Sequence, residues 1–282
     1  MVTANRTHKD SLFVDYFKDK ARIIELYNAI AGTDYPVSVK IEFAILENVL
    51  FKTRCNDLAF LIEDRLIVFL EYQSSISKTM PLRMLLYISD IYRGLLKKDM
   101  LYGYAQQTIP TPEFFVVYNG KEKYPDREVL RLSDAFVLKS AEPSLELVVP
   151  VYNINDGHNA ELLRHSTALS HYAAFVSYVR EAVASGDTPE EAIEKSIHYC
   201  INNGIMEEYL TENSDEVRRM LSLEWDDETY ERVIKAEGRA EGHAEGRAEV
   251  LLEIARNMKN EGAEKTLIKK VTGLSEEEIG AL

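Results

Sequence analysis

Two short apolar runs constrain this chain most. Residues 57–62 and 66–73 stand either side of the charged triplet Glu63-Asp64-Arg65. Runs of that length, rich in Leu, Ile, Val and Phe, read as the strands of a β-hairpin with a three-residue loop. A hairpin fixes more than local structure, because direct cross-strand partners share a face with their Cβ atoms about 4.5–5.5 Å apart. Pairing Ile62 with Leu66 across the loop puts Asp57 opposite Glu71. Two carboxylates so placed repel each other unless a cation lies between them. Strand alternation brings Gln73 to the same face. Magnesium suits such a pair, since it takes a few carboxylates, keeps several waters and completes its shell with substrate phosphates. The alternative is structural, with Asp57 capping the strand and Glu71 paired to a nearby arginine.

The flanking segments place this hairpin in an α/β domain. Residues 10–30 carry Leu12, Phe13, Phe17, Ile23, Ile24, Leu26, Tyr27 and Ile30 at helical spacing, and Gly32 follows as a stop. Pro81 opens a helical pattern to about Lys98, with Leu82, Leu85, Leu86, Ile88 and Leu95 spaced for burial. Residues 114–118 read as a buried strand before the Asn119-Gly120 turn, and 145–154 as a strand that Pro150 breaks or kinks. After Asn155 the pattern is helical, over 159–184, 189–202, 205–210 and onward. This order predicts an α/β core over 1–155, a helical annex over 156–225 and a helical tail over 226–282.

Charge follows the same division. The formal net charge is −14, from 33 Lys+Arg and 47 Asp+Glu. Residues 1–125 hold 16 Lys+Arg and 15 Asp+Glu, a balance of +1, which leaves −15 for 126–282. With screening over about 8 Å at physiological salt, the local balance governs what each half binds. The first half is therefore not barred from nucleic acid. Lys78, Arg83 and Tyr87 lie just beyond the hairpin, with Arg83 and Tyr87 one helical turn apart, and are candidates for contacting phosphates. The alternative has Arg83 paired with a core carboxylate and Tyr87 packed.

The tail contains a repeat. Over 236–249, Gly238, Gly242 and Gly246 recur every four residues, interleaved with Glu237, Glu241, Glu245 and Glu249. Each glycine costs a helix about 1 kcal/mol relative to alanine, which close helix–helix approach would offset. The stripe therefore predicts a homodimer through the tail, or else a solvated linker helix. Ser275 with Glu278 reads as the capping box of a short last helix.

These residues carry a resemblance. Asp57, thirteen residues, then Glu71-Tyr72-Gln73 resembles the PD-(D/E)XK nuclease signature, with Gln in the place of the terminal Lys. Segments along the chain resemble the Rpn-type family of recombination-promoting nucleases and transposase-like proteins. They include Asp10-Ser11-Leu12-Phe13, Glu25-Leu26-Tyr27-Asn28, Glu71-Tyr72-Gln73-Ser74-Ser75, Val117-Tyr118-Asn119-Gly120, Asn153-Ile154-Asn155-Asp156-Gly157-His158-Asn159 and the glycine–glutamate tail. The resemblance implies a restriction-endonuclease-like core and magnesium-dependent DNA cleavage, with manganese substituting and a free 3′ hydroxyl left behind. By position, Asp57, Glu71 and the Tyr72 carbonyl would hold the metal. Gln73 would orient a water without the positive charge a lysine brings. Asp10 would be an accessory acid, with Glu25 as the alternative.

The sequence excludes other classes. The six histidines show no zinc spacing, and no Gly-rich phosphate loop or nucleophile motif is present. Two cysteines, Cys55 and Cys200, make no disulfide framework, and a reducing cytoplasm fits them. No apolar run reaches the ~20 residues that span a bilayer, and the polar N-terminus resembles no signal peptide. The rival expectation is a non-catalytic DNA-binding or self-assembling protein that keeps a nuclease-like core.

Overall fold

A computed structural model describes residues 11–43, 57–72, 78–96, 104, 106–222 and 252–281. The chain divides into two compact units, Met1–Glu224 and Trp225–Leu282.

The first unit is built on a mixed six-stranded sheet of order β1-β2-β3-β4-β6-β5. The strands are β1 (Ile41–Phe43), β2 (Asp57–Ile62), β3 (Arg65–Tyr72), β4 (Thr111–Tyr118), β5 (Arg127–Arg131) and β6 (Val148–Asn153). The central strands β3, β4 and β6 run parallel, while β1–β2, β2–β3 and β5–β6 pair antiparallel. Pro150 lies inside β6, one residue before the β4–β6 ladder opens at Val116–Val151, so its missing N–H interrupts no bond of that ladder. The expected break at Pro150 is thus a continuous strand. Strand β5 escaped the sequence reading because its apolar residues are few and the charged Arg127, Glu128 and Arg131 bracket them.

Helix α3 (Met80–Leu95) joins β3 to β4 and covers one face of the sheet. Met84, Tyr87, Ile88 and Ile91 pack on Leu66, Val68, Val116, Tyr118 and Val151. The expected burial holds for Ile88, and Leu85 packs partly against this cluster, whereas Leu82, Leu86 and Leu95 are exposed at 44%, 47% and 45%. The methionines and Tyr87 take their place, since a continuous apolar surface needs only one face filled.

The other face carries α1 (Leu12–Phe17), α2 (Lys20–Ala31) and α5 (Thr167–Ala184). Tyr27 of α2 meets Phe60 and Phe115 at ring centroid distances of 6.3 Å and 6.2 Å. Tyr172 of α5 packs against Phe13 and Phe17 at 5.6 Å and 5.8 Å. Each fully buried ring contributes about 1.5–3 kcal/mol, before the entropy of ordering it is subtracted. The single helix expected over 10–30 is two, because Asp19 accepts from the Arg22 N–H at 3.0 Å and restarts the helix as its N-cap. Gly32 ends α2 in the left-handed conformation, as expected. Likewise Ser166 caps α5 by accepting from the Leu169 N–H at 3.0 Å, separating it from α4 (Ala160–His165). Helix α6 (Pro189–Asn202) has a full capping box between Thr188 and Glu191. Residues 207–222 are helical and dock through Tyr209, whose hydroxyl donates to Asp15 Oδ2 at 2.5 Å.

In the second unit, helices 252–260, Lys265–Thr272 and Glu276–Ala281 enclose a small core of Ala255, Ile268 and Ile279. The turn after Thr272 is made by Gly273 at φ 75°. The glycine stripe at 238–246 lies outside the described residues, as do Cys55 and Trp225.

Candidate active site at the carboxyl ends of the parallel strands

The three parallel strands finish side by side. Tyr72 of β3 is in register with Tyr118 of β4, and Tyr118 with Asn153 of β6. Ligand crevices of open α/β sheets lie outside the carboxyl ends of such strands. Here the segments leaving β4 and β6 form a network of amides. Asn155 Nδ2 donates to the Gly120 carbonyl at 3.0 Å and to Asn153 Oδ1 at 2.9 Å. Asn153 Nδ2 donates to the Tyr124 carbonyl at 2.8 Å. Asn159 Nδ2 donates to the Asn153 carbonyl at 2.7 Å, and His158 Nδ1 lies 2.6 Å from Asp126 Oδ1. Gly120 is required because a Cβ there would collide with the Tyr118 ring. Tyr118 in turn donates its hydroxyl to the Glu122 carbonyl at 2.9 Å, and burial raises its pKa. Arg180 reaches in from α5, donating through Nη1 to Asn119 Oδ1 at 3.1 Å and Asn155 Oδ1 at 3.3 Å.

Asp57 opens β2, while Glu71 and Tyr72 end β3 beside this network. The expected register is corrected. Ile62 pairs with Arg65 and Asp57 with Leu70, one residue out of step with the predicted Asp57–Glu71 pair. The cause is the turn. Glu63 adopts φ 50°, and Glu63-Asp64 closes the hairpin as a two-residue loop, whose primed twist matches the strands better than a three-residue loop does. In regular pleating, position 57 is in step with Ala59, which packs toward α3, and position 71 with Val117 on the opposite face. The two acidic positions therefore fall on opposite faces of the regular sheet, and the expected direct pair on one face is not formed.

Of the remaining predicted residues, Asp10 and Gln73 lie outside the described residues. Lys78 is exposed in the turn before α3. Arg83 is half-buried on α3 with no carboxylate partner among the described residues. Tyr87 is 7% exposed and belongs to the core under α3. Glu25 holds a structural position, its Oε1 accepting from the Ala168 N–H at 3.0 Å at the start of α5. No group of three His, Cys, Asp or Glu gathers around a common point among the described residues.

Sequence reasoning missed Arg180, Asn119 and Asn155 as parts of one arrangement. The density of asparagines in Asn153-Ile154-Asn155 and Asn159 was the available signal, since buried amides need partners. Arg180 had none, because it lies in a helix far away in sequence. A separate cavity of about 520 Å³ is lined by Tyr16, Arg22, His171, Met206 and Tyr209, among others, and contains none of the predicted site residues.

The first unit is thus an α/β structure, and no described helix is long and apolar enough to cross a membrane. Residues 248–282 match the C-terminal HTH domain of the Rpn/YhgA-like nuclease family, which supports membership of the Rpn-type family. No curated protein and no solved structure matches the chain.

Proposed function

We propose that this protein is a metal-dependent DNA endonuclease of the PD-(D/E)XK type, acting in the cytoplasm on mobile or recombining DNA. The observation that carries this reading is the match of residues 248–282 to a domain of a nuclease family. The strand ends supply its second support: Glu71, Tyr72, Asn119 and Asn153 meet at one edge of a parallel sheet. Asp57, Glu71 and the Tyr72 carbonyl are hard oxygen donors of the kind Mg²⁺ or Mn²⁺ takes. Glu71 and the Tyr72 carbonyl would hold the cation at the end of β3, and Asp57, at the first position of β2, would turn out of the regular pleat to join them. Such a cation supplies charge neutralisation to the phosphate under attack. Gln73 would orient the water, Asp10 would assist as an accessory acid, and Lys78 and Arg83 would hold the backbone. The buried, free Cys200, whose thiol burial pushes up to about 12, suits a reducing compartment.

The tail adds a second DNA contact. In an HTH unit the helix after the turn enters the major groove. Here that helix opens with Glu276-Glu277-Glu278, which repels phosphate. The exposed Lys269 and Lys270 on the preceding helix are the groups that fit the backbone. Lys270→Ala is expected to weaken DNA binding a few-fold and to leave cleavage chemistry intact. The rival, self-assembly through the tail, is favoured by Leu267 and Val271, exposed at 50% and 53% one turn apart.

Incubation of supercoiled plasmid with the purified protein tests the main reading. Nicking in Mg²⁺, abolished by a chelator and by Asp57→Ala, is expected. No nicking in any divalent metal, together with no heat of Mn²⁺ binding, would leave the rival.

A further inference from the structure

Most arginines of the first unit have a visible occupation. Arg65 pairs with Glu113, Arg93 with Asp90 and Arg218 with Glu194. Arg22 lies over the Tyr16 ring at 4.5 Å, and Arg127 over Tyr152 at 5.5 Å. Arg180 differs. It is half-buried and has no carboxylate partner among the described residues. Its Nη1 is spent on the amide oxygens of Asn119 and Asn155. Those oxygens orient the guanidinium without neutralising it. Nε and Nη2 make no hydrogen bond among the described residues.

The residue that aims it is unusual too. Asn119 is 1% exposed, and its Nδ2 is buried with no acceptor. A buried N–H without a partner carries its full desolvation cost. Turning the amide over would bring the N–H toward Arg180 and lose the bond that holds the guanidinium. The Gly120 carbonyl and Asn153 Oδ1 hold Asn155 in the same way. The side-chain network therefore presents one half-buried, uncompensated cation at the carboxyl end of β4 and β6. By pleat alternation Asn119 shares the sheet face of position 117, the register partner of Glu71.

We infer that Arg180 binds a phosphate of the nucleic-acid backbone at the carboxyl end of the parallel strands, with Asn119 and Asn155 as the positioning residues that aim it. The inference rests on the proposed DNA-acting function and extends it, because it assigns part of the site to α5, in the helical annex. A phosphate supplies the charge that the protein withholds, and the two free N–H directions of the guanidinium suit its oxygens. Two amides fix the guanidinium before the ligand arrives, so little side-chain entropy is lost on binding.

The test uses full-length protein and a short fluorescein-labelled duplex, with Ca²⁺ in place of Mg²⁺, followed by anisotropy over a series of salt concentrations. Plasmid nicking in Mg²⁺ is measured in parallel. Arg180→Ala is expected to weaken binding by about tenfold or more and to lower the slope of log affinity on log salt by about 1. Arg180→Lys should keep the slope while losing part of the affinity, and it guards against a folding failure of the alanine variant. Arg218→Ala, which removes an arginine already paired to Glu194, should change neither. If Arg180→Ala or Arg180→Gln folds and binds with wild-type affinity and slope, the inference is overturned, even where the wild type nicks. If the wild type binds without nicking and Arg180→Ala shows the expected loss, the phosphate site stands and the nuclease reading fails. Wild-type protein that does not bind the duplex overturns the phosphate site.

Discussion

The β3–β4 ladder has two ends, and they treat charge in opposite ways. At the turn end Arg65 pairs with Glu113, whose Oε2 also accepts from the Tyr27 hydroxyl at 3.0 Å. Glu63, held in its positive-φ turn, accepts from the Tyr35 hydroxyl at 3.2 Å. Burial and the Glu113 hydrogen bond push the Tyr27 hydroxyl well above the ordinary tyrosine range. Charges there meet partners, and the result is structural closure. Around Arg180 at the carboxyl end the partners are neutral amides, one buried amide N–H is unmatched, and Arg180 has no counter-ion among the described residues. A compact protein tolerates that imbalance where the missing group comes from outside. On the proposed function, the difference separates ionic groups that hold the fold from those that would act on a ligand.

Substitutions at the two ends should therefore fail in different ways. The largest effect belongs to Asp57→Asn, which should slow plasmid nicking by about 10²–10³-fold with little change in thermal midpoint, since it removes charge and keeps shape. Equal rates for mutant and wild type would remove Asp57 from the site. Next is Gly120→Ala. The added methyl meets the Tyr118 ring, so a loss of about 1–3 kcal/mol in urea unfolding is expected. DNA affinity should fall with it, because the Gly120 carbonyl helps to hold Asn155. Glu113→Gln at the turn end should cost about 1–2 kcal/mol of stability and leave DNA affinity unchanged, which sharpens the contrast.

The smallest effect tests the annex. His171 Nδ1 accepts from the Met206 N–H at 3.3 Å, and burial lowers its pKa while Glu25 partly opposes that. The unfolded ring therefore takes up a proton first as pH falls below about 6.5. Stability that is complete above that pH should decline as pH drops toward the lower folded-state value. Melting curves at a series of pH values should show this decline in the wild type and a flatter one in His171→Gln.

Local signals carried much of the architecture. Pairs of apolar runs announced the hairpin, Gly32 the end of α2, and the helical pattern over 189–202 the extent of α6. What one sequence could not convey was register and distance. The carboxylate pairing depended on whether Glu63 would accept a left-handed backbone, and the turn decided against the direct pair. On α3 the spacing identifies Ile88 but not Met84, Tyr87 and Ile91, because leucines on the exposed side fit the same period as the residues that meet the sheet. The amide network was hidden because Asn119, Asn155 and Arg180 meet only through the fold. Helix breaks at Asp19 and Ser166 were legible as capping residues and were passed over because the apolar spacing runs on through them.

The most direct test of the central claim sets the two ends against each other with one pair of variants on adjacent strands. Glu71→Ala and Glu113→Ala each remove a glutamate carboxylate, the first from the carboxyl end of β3 and the second from β4 at the turn end. Initial rates of supercoiled-plasmid nicking in Mg²⁺ are compared below the melting temperature of both. The account predicts that Glu113→Ala, though less stable, nicks like the wild type, and that Glu71→Ala does not nick. Nicking by Glu71→Ala at the wild-type rate would contradict it.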